Sequence, residues 1–258
     1  MTRTPPAVLM PGVAKTYPGR VPVLAVTDVD LEVPEGAFIA LLGPSGCGKS
    51  TILNIIAGFE QPTAGEFRIA GSPPGPPGPD RAVVFQEPAL FPWLTVRGNV
   101  TFGPRVQRRR RAEYEEAASR IIRLVGLADF ERHYPDQLSG GMKQRVGIAR
   151  CLMMEPRLFL MDEPFGALDA QTRLSMQELL LHVWDTLKRT VVFVTHDIDE
   201  AIFLADTVYV MSARPGRISA RYEVPLGRPR DIAMLADPAF NALRGEVLMR
   251  VRREAGGG

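Results

Sequence analysis

The sequence has little cysteine, no long hydrophobic run and almost no net charge. Its 258 residues include only two cysteines, and 31 lysines and arginines balance 29 aspartates and glutamates, giving a net charge of +2. Two cysteines cannot form a disulfide framework, which indicates a reducing compartment. No segment reaches the roughly 18 apolar residues that a membrane span needs, and the near-neutral charge does not favour nucleic acid as a partner.

The N-terminal residues are rich in proline and lack the apolar stretch of a secretory signal. We therefore expect the chain to stay in the cytoplasm and to contact a membrane only through a partner. Hydrophobic residues make up 45% of the chain, which is enough for a globular core without a metal or disulfide. The length fits one large domain or two small ones.

Short apolar runs alternate with helical patterns along the chain. Four runs, at residues 38–42, 82–85, 158–161 and 191–195, are continuously apolar, as is typical of strands buried on both faces of a parallel sheet. Apolar residues recur at helical spacing between Tyr114 and Val125, where Gly126 ends the pattern, and again from Met176 to Leu187. This alternation predicts an α/β domain with a parallel sheet.

Residues 43–50 match the phosphate-loop pattern Gly-x-x-x-x-Gly-Lys-Ser at every fixed position. The apolar run 38–42 precedes the match and a predicted helix follows it, which is the strand–loop–helix context that the motif requires. Glycines allow backbone N–H groups to face phosphate oxygens, and the helix N-terminus adds partial positive charge. We predict that Lys49 reaches the β- and γ-phosphates and that Ser50 holds Mg²⁺.

A second apolar run ends in two carboxylates, Asp162 and Glu163. An acidic pair at a strand end can be merely solvated, but in a phosphate-loop protein such an end lies beside the loop. Asp162 is then predicted to contact Mg²⁺. Glu163 is predicted to polarise the water that attacks the γ-phosphate.

A third motif, Ser139-Gly140-Gly141, begins another predicted helix and could by itself be a plain helix cap. Together with the two motifs above, it makes the chain resemble the ATP-binding cassette (ABC) ATPases over about residues 8–220. The resemblance implies a P-loop NTPase fold with a RecA-like parallel-sheet core, a small antiparallel β portion and an inserted helical subdomain. We expect a single ABC ATPase domain over 1–258, with its catalytic core at 1–88 and 156–215, a helical signature subdomain at 89–155 and a C-terminal tail at 216–258.

The resemblance also implies a role for each matching residue. Tyr17 would stack on adenine, Gln86 would sense Mg²⁺ and the attacking water, His196 would contact the γ-phosphate, and Asp169 would lie in the D-loop at a dimer interface. The implied catalytic residues are Glu163, His196, Gln86 and Lys49, and the implied Mg²⁺ ligands are Ser50, Gln86 and Asp162. The implied ATP-binding residues are Tyr17, Gly43, Pro44, Ser45, Gly46, Cys47, Gly48, Lys49, Ser50 and Thr51, with Ser139, Gly140 and Gly141 supplied by a second subunit.

Finer features are similar to the nitrate/sulfonate/taurine uptake branch of bacterial importers. They are the segment that contains Phe91, Pro92 and Trp93, the segment from Met161 to Asp169, and the Ala-Arg-Pro-Gly-Arg sequence at 213–217. In importers the first segment lines a groove for a permease helix, so Phe91 and Trp93 are predicted, as exposed aromatics, to contact a permease; a core-packed loop is the alternative.

The resemblance implies a homodimeric ATPase beneath a permease at the cytoplasmic face of the inner membrane, supplied by a periplasmic solute-binding protein. Nitrate, taurine or another sulfonate is the expected solute. A soluble ABC ATPase that acts on nucleic acid or ribosomes is the alternative, which a basic groove would favour.

Overall fold

A computed structural model describes residues 5–256 as nine strands and eight α-helices, with three short 3₁₀ turns. The strands are β1 (Val8–Tyr17), β2 (Val23–Val33), β3 (Phe38–Leu42), β4 (Arg68–Ile69), β5 (Arg81–Val84), β6 (Leu158–Asp162), β7 (Thr190–Thr195), β8 (Thr207–Met211) and β9 (Ile218–Glu223). The helices are α1 (Lys49–Ala57), α2 (Val96–Val100), α3 (Phe102–Val106), α4 (Arg111–Leu124), α5 (Gly140–Leu152), α6 (Ala170–Leu187), α7 (Ile198–Leu204) and α8 (Pro238–Gly256).

The chain forms two compact units. Of the described residues, the first unit contains 5–78 and 188–256, and the second contains 79–187. The boundaries of the catalytic core and the helical subdomain that the sequence suggested, at residues 88, 155 and 215, stay predictions.

The first unit contains a sheet with the strand order β7-β3-β8-β9. β3 pairs in parallel with both β7 and β8, whereas β9 pairs antiparallel with β8. All five residues of β3 are buried, because strands flank both its edges and helix α7 packs on it. The parallel sheet predicted from continuous apolar runs is confirmed.

A second sheet of the first unit is antiparallel, with β1 between β2 and β4. Buried and more exposed positions alternate along much of β1 and β2, as in a sheet with one face on the core. This sheet is the small antiparallel β portion that the resemblance implied, and Tyr17 is the last residue of β1.

The second unit combines a parallel strand pair, β5 and β6, with five helices. Helix α4 buries Tyr114, Ala118 and Ile122 on one face and ends before Gly126, whose φ of 69° suits glycine. The side chain of Arg97 links three parts of this unit, because its guanidinium contacts Glu115, Ser119 and Glu131.

The predicted C-terminal tail has regular secondary structure between residues 218 and 256. It contains strand β9 and the 19-residue helix α8. Arg230 is buried and donates hydrogen bonds to the carbonyls of Ile202, Phe203 and Ala205 at the end of α7. None of the helices in residues 5–256 combines the length and apolar character that crossing a bilayer requires.

Candidate nucleotide-binding site

The predicted phosphate loop connects β3 to α1 in the first unit. Helix α1 begins at Lys49, and Gly48 precedes it with a left-handed φ of 96°. The ammonium of Lys49 donates to the carbonyl oxygens of Gly43 at 2.8 Å and Pro44 at 3.0 Å, and the residue is only 4% exposed. The lysine is therefore held within the curve of the loop, at the positive end of the helix.

Close packing makes glycine necessary at two positions of this loop. A Cβ atom on Gly48 would lie 2.3 Å from Cγ1 of Val26, and one on Gly43 would lie 2.9 Å from Sγ of Cys47. The loop is thus packed against β2 at Gly48, and against its own residue Cys47 at Gly43. Its backbone conformation is fixed by the fold around it.

Tyr17 lies next to the helix that follows the loop. Its hydroxyl is 3.5 Å from Oγ1 of Thr51, and the ammonium of Lys15 is 5.1 Å from the centre of its ring. The structure therefore brings together two of the predicted ATP-binding residues, Tyr17 and Thr51, that are 34 positions apart.

His196 follows β7 at the same edge of the sheet from which the phosphate loop emerges. Leu42 pairs with Thr195 in the parallel register of β3 and β7, so the loop and His196 leave adjacent strand ends. The exposed His196 is flanked by a hydrogen-bonded turn in which the hydroxyl of Thr195 donates to Glu200 at 2.7 Å and accepts from the N–H of Asp197 at 3.0 Å. Asp197 also caps α7. These bonds fix the backbone on both sides of the histidine.

In the second unit, the acidic pair and Gln86 also lie at adjacent strand ends, with Asp162 as the last residue of β6 and Gln86 just after β5. β5 and β6 are parallel, with Val84 opposite Met161. The amide nitrogen of Gln86 lies 3.1 Å from the point where a Cβ on Gly166 would be, which places it against the segment after Glu163. Glu163 has a φ of 45°, unusual for a residue other than glycine, and its carbonyl accepts from Gly166 N at 3.1 Å.

The Ser-Gly-Gly motif begins α5. Oγ of Ser139 accepts from the N–H of Met142 at 3.3 Å, as in a helix cap. A Cβ on Gly141 would lie 2.7 Å from the methyl group of Thr172, so the motif packs against the start of α6. Asp169 lies there, and hydrogen bonds from Thr172 hold the pKa of its carboxyl below the usual value.

Helix α5 also supports the segment that carries Gln86. The sequence did not predict this support. Gln144 donates to the carbonyl of Phe85 at 3.3 Å, and Arg150 donates to the carbonyl of Ala89 at 2.7 Å. The only sequence signal for these contacts is that polar residues occupy positions 144 and 150 of the helix. Because they contact a segment about 60 positions away, no local pattern identifies their partner.

Phe91, Trp93 and Phe102 form an aromatic surface in the second unit. Phe91 stacks on Trp93 at 5.6 Å and on Phe102 at 4.2 Å between ring centres. Trp93 is 70% exposed, as predicted, but Phe91 is half-buried, because Phe102 and the guanidinium of Arg150 cover its ring. An open groove of about 350 Å³ is lined by Trp93, Leu94, Phe102, Arg105 and Val106.

The predicted residues therefore fall into two groups. The first unit holds Tyr17, residues 43–51 and His196, and the second holds Gln86, Asp162 and Glu163, with residues 139–141 and Asp169.

The chain is similar to known proteins over most of its length. Residues 26–166 match the ABC transporter family. The chain is 47% identical over 241 residues to a nitrate import ATP-binding protein of Synechococcus elongatus, covering 92% of this chain and 88% of that one. It is 49% identical over 244 residues to a taurine import ATP-binding protein of Chromobacterium violaceum, covering 93% of each.

A solved ATP-binding cassette has a similar structure. It was obtained as a dimer in a post-hydrolysis state with ADP and phosphate bound. It superposes with a TM-score of 0.73 at 34% identity, over 85% of this chain and 100% of that one. The phosphate loop, the motifs and these relatives lead to one conclusion: the chain belongs to the ABC transporter family and is one of its ATP-binding ATPases.

Proposed function

We propose that this chain binds ATP through residues 43–51 and hydrolyses it to energise solute uptake by a bacterial ABC importer. The observation that carries the proposal is the position of Lys49, which is buried in the loop at the N-terminus of α1. An ammonium group there, with the backbone N–H groups of the loop and helix end, is suited to the β- and γ-phosphates. Tyr17, beside Thr51, is suited to stack on the adenine.

Mg²⁺ is the proposed metal, held by Ser50, Gln86 and Asp162. Hydroxyl, amide and carboxylate oxygens are the donors that Mg²⁺ prefers, and it commonly binds one or two carboxylates together with substrate phosphates. Among residues 5–256 there is no group of three His, Cys, Asp or Glu side chains arranged for a metal, and this mode of binding needs none. When bound, Mg²⁺ would neutralise charge that develops on the phosphates.

Glu163 is the proposed general base for hydrolysis. Its carboxylate would accept a proton from the water that attacks the γ-phosphate, while Gln86 would orient that water. His196 would donate a hydrogen bond to the γ-phosphate. The fixed backbone on both sides of His196 supports this role, because a group that recognises one phosphate oxygen has to be held in place.

A second copy of the chain is the proposed partner at the nucleotide. Ser139, Gly140 and Gly141 of that copy would face the γ-phosphate from the N-terminus of their own α5. ATP would hold the two copies together, and hydrolysis would weaken the contact. The dimeric state of the solved relative supports this arrangement.

A membrane permease is the proposed second partner, which would place the chain at the cytoplasmic face of the inner membrane. Trp93 is largely exposed beside an apolar groove, and exposed aromatics of this kind are common at protein interfaces. Phe91 would act mainly by supporting Trp93. A periplasmic binding protein would deliver the solute, and the relatives named for nitrate and taurine import favour nitrate, taurine or another sulfonate.

The proposal can be tested by affinity purification of the chain from detergent-solubilised membranes of its own cell, followed by mass spectrometry. We expect a polytopic permease in about equal amount. Growth of a deletion strain on nitrate as the nitrogen source, or on taurine as the sulfur source, then identifies the solute. Recovery of ribosomal proteins or nucleic acid without a permease would contradict the importer function.

A further inference from the structure

The turn formed by residues 212–217 packs against the phosphate loop within the first unit. The turn closes on itself, because Ser212 N donates to the carbonyl of Arg217 at 2.9 Å and Arg217 N donates to Oγ of Ser212 at 3.2 Å. Its sequence, Ser-Ala-Arg-Pro-Gly-Arg, includes the 213–217 segment that resembles one importer branch. The role of this segment in the nucleotide chemistry is not explained by that resemblance.

Gly216 brings the backbone of the turn into contact with the loop. It is fixed to β2 by two hydrogen bonds, from its N–H to the carbonyl of Ala25 and from the N–H of Thr27 to its own carbonyl, both 2.9 Å. A Cβ on Gly216 would lie 1.8 Å from the carbonyl oxygen of Cys47. The turn therefore approaches the loop as closely as only a glycine allows.

Arg214 makes the side-chain contact between the turn and the loop. Its Nε–H donates to the carbonyl oxygen of Gly46 at 3.2 Å, and its Nη2 lies 2.7 Å from the point where a Cβ on Gly46 would be. Gly46 is exposed and has a φ of 76°, so its conformation is available mainly to glycine. Within residues 5–256, the bond from Nε to the Gly46 carbonyl is the one hydrogen bond of the Arg214 side chain.

The contact acts on the Gly46–Cys47 peptide group of the loop, whose N–H donates a long hydrogen bond of 3.4 Å to the carbonyl of Pro44. The carbonyl of Gly46 and the N–H of Cys47 belong to one planar peptide unit, so a bond that fixes the oxygen also fixes the direction of the N–H. A charged donor on the oxygen polarises the unit and makes its N–H a stronger donor.

The position of Arg214 favours an anion nearby. A cation beside a helix N-terminus is unfavourable in the absence of negative charge, and Lys49 already provides one positive charge there. A second cation at this end of α1 fits a loop whose ligand is strongly anionic, such as a nucleoside di- or triphosphate.

We propose that Arg214 is a positioning residue for phosphate binding: it holds and polarises the Gly46–Cys47 peptide of the loop from outside. The inference rests on the proposed binding of phosphates by residues 43–51. Arg214 acts through the loop and does not itself touch the nucleotide, and the β-phosphate is the group whose binding it supports.

The test compares Arg214→Ala with Arg217→Ala, a matched control whose exposed side chain belongs to the same turn but makes no hydrogen bond to the described loop. Dissociation constants for ADP and ATP are measured by calorimetry, with steady-state KM and kcat for ATP hydrolysis. For Arg214→Ala we expect both dissociation constants and KM to rise about five- to tenfold, which is the size of effect that loss of one ordinary hydrogen bond produces. The value of kcat should stay within about twofold, and Arg217→Ala should resemble the wild type.

Two further variants complete the test. Arg214→Lys keeps the charge but removes the Nε–H bond, so we expect a loss of affinity close to that of alanine; full rescue by lysine would contradict the orienting role. An unchanged ADP affinity, with a loss for ATP only, would also overturn the inference and indicate a contact across a dimer. Lys49→Ala should abolish binding of both nucleotides, and normal binding by that variant would instead contradict the proposed function.

Discussion

The phosphate loop and the aromatic surface are the two regions proposed to bind ligands or partners, but different interactions determine their structures. The loop is fixed by backbone contacts, with Gly48 packed on Val26 and Gly216 packed on Cys47. The aromatic surface consists of stacked side chains, of which Trp93 is 70% exposed. A substitution in the loop region should therefore disturb the fold and nucleotide binding together, whereas one at the aromatic surface should disturb only a partner contact.

This difference follows from the ligands that the two regions are proposed to bind. A phosphate group is small and negatively charged, so a loop of fixed backbone N–H groups with one lysine can recognise it. A protein partner presents its own side chains, and exposed aromatics contribute binding energy only when that partner covers them.

Gly216→Ala should have the largest effect on stability. The added methyl group would overlap the carbonyl oxygen of Cys47, so the turn or the loop must shift. We expect the free energy of unfolding to fall by about 3 kcal/mol, with a clear loss of ATP affinity. Denaturant unfolding and calorimetry measure the two effects.

Gly227→Ala is the matched control for that experiment, because nothing lies within 4 Å of a Cβ at this position. It should unfold like the wild type. Equal stability of the two alanine variants would show that close backbone approach does not fix the loop.

Arg97→Ala should have an intermediate effect. The Arg97 side chain is 27% exposed, and its removal would leave the carboxylates of Glu115 and Glu131 without their shared cation. We expect a loss of about 2 kcal/mol in the free energy of unfolding, without a change in ATP affinity.

Arg120→Ala tests whether loss of any salt bridge in the second unit lowers the free energy of unfolding as much as Arg97→Ala does. Arg120 pairs with Glu116 at 3.0 Å, but its side chain is 62% exposed. Its removal should change stability by less than about 0.5 kcal/mol. A comparable loss in both variants would mean that the linking position of Arg97 has no special importance.

Trp93→Ala should have the smallest effect on the isolated chain. Stability should change by less than about 0.5 kcal/mol, as for most exposed positions, and ATP affinity should be normal. The amount of permease recovered with the chain should nevertheless fall strongly, because a central aromatic contact commonly contributes at least about 2 kcal/mol.

Met249→Ala is the corresponding control, since Met249 is 55% exposed and lies on α8 in the first unit. It should leave permease recovery unchanged. Unchanged recovery with Trp93→Ala would remove the aromatic surface from the proposed interface.

The sequence predicts the loop better than its surroundings for a physical reason. The strand–loop–helix pattern at 38–50 is local, so spacing alone identifies β3, the glycines and Lys49. Arg214 and Gly46 are 168 positions apart, and their contact depends on the pairing of whole strands. The burial of Phe91 likewise depends on Phe102 and Arg150, so the sequence suggested an exposed ring.

The long antiparallel strands and the C-terminal helix were also not predicted in detail. β1 and β2 mix buried and exposed positions, with register shifts in their pairing, so they lack the continuous apolar run that marked β3. In α8, Phe240, Leu243 and Val247 are buried at helical spacing, but the exposed Leu248 and Met249 that follow Val247 obscure this stripe in the sequence.

The most direct test of ATP hydrolysis at a site shared by two copies uses the Glu163→Gln variant. The mass of this variant in solution is measured with and without ATP, together with its rate of ATP hydrolysis. Loss of a general base typically costs 10²–10⁴-fold in rate, so the variant should bind ATP, hydrolyse almost none of it and accumulate as a dimer. A rate within about tenfold of the wild type, or a monomer in saturating ATP, would contradict the account.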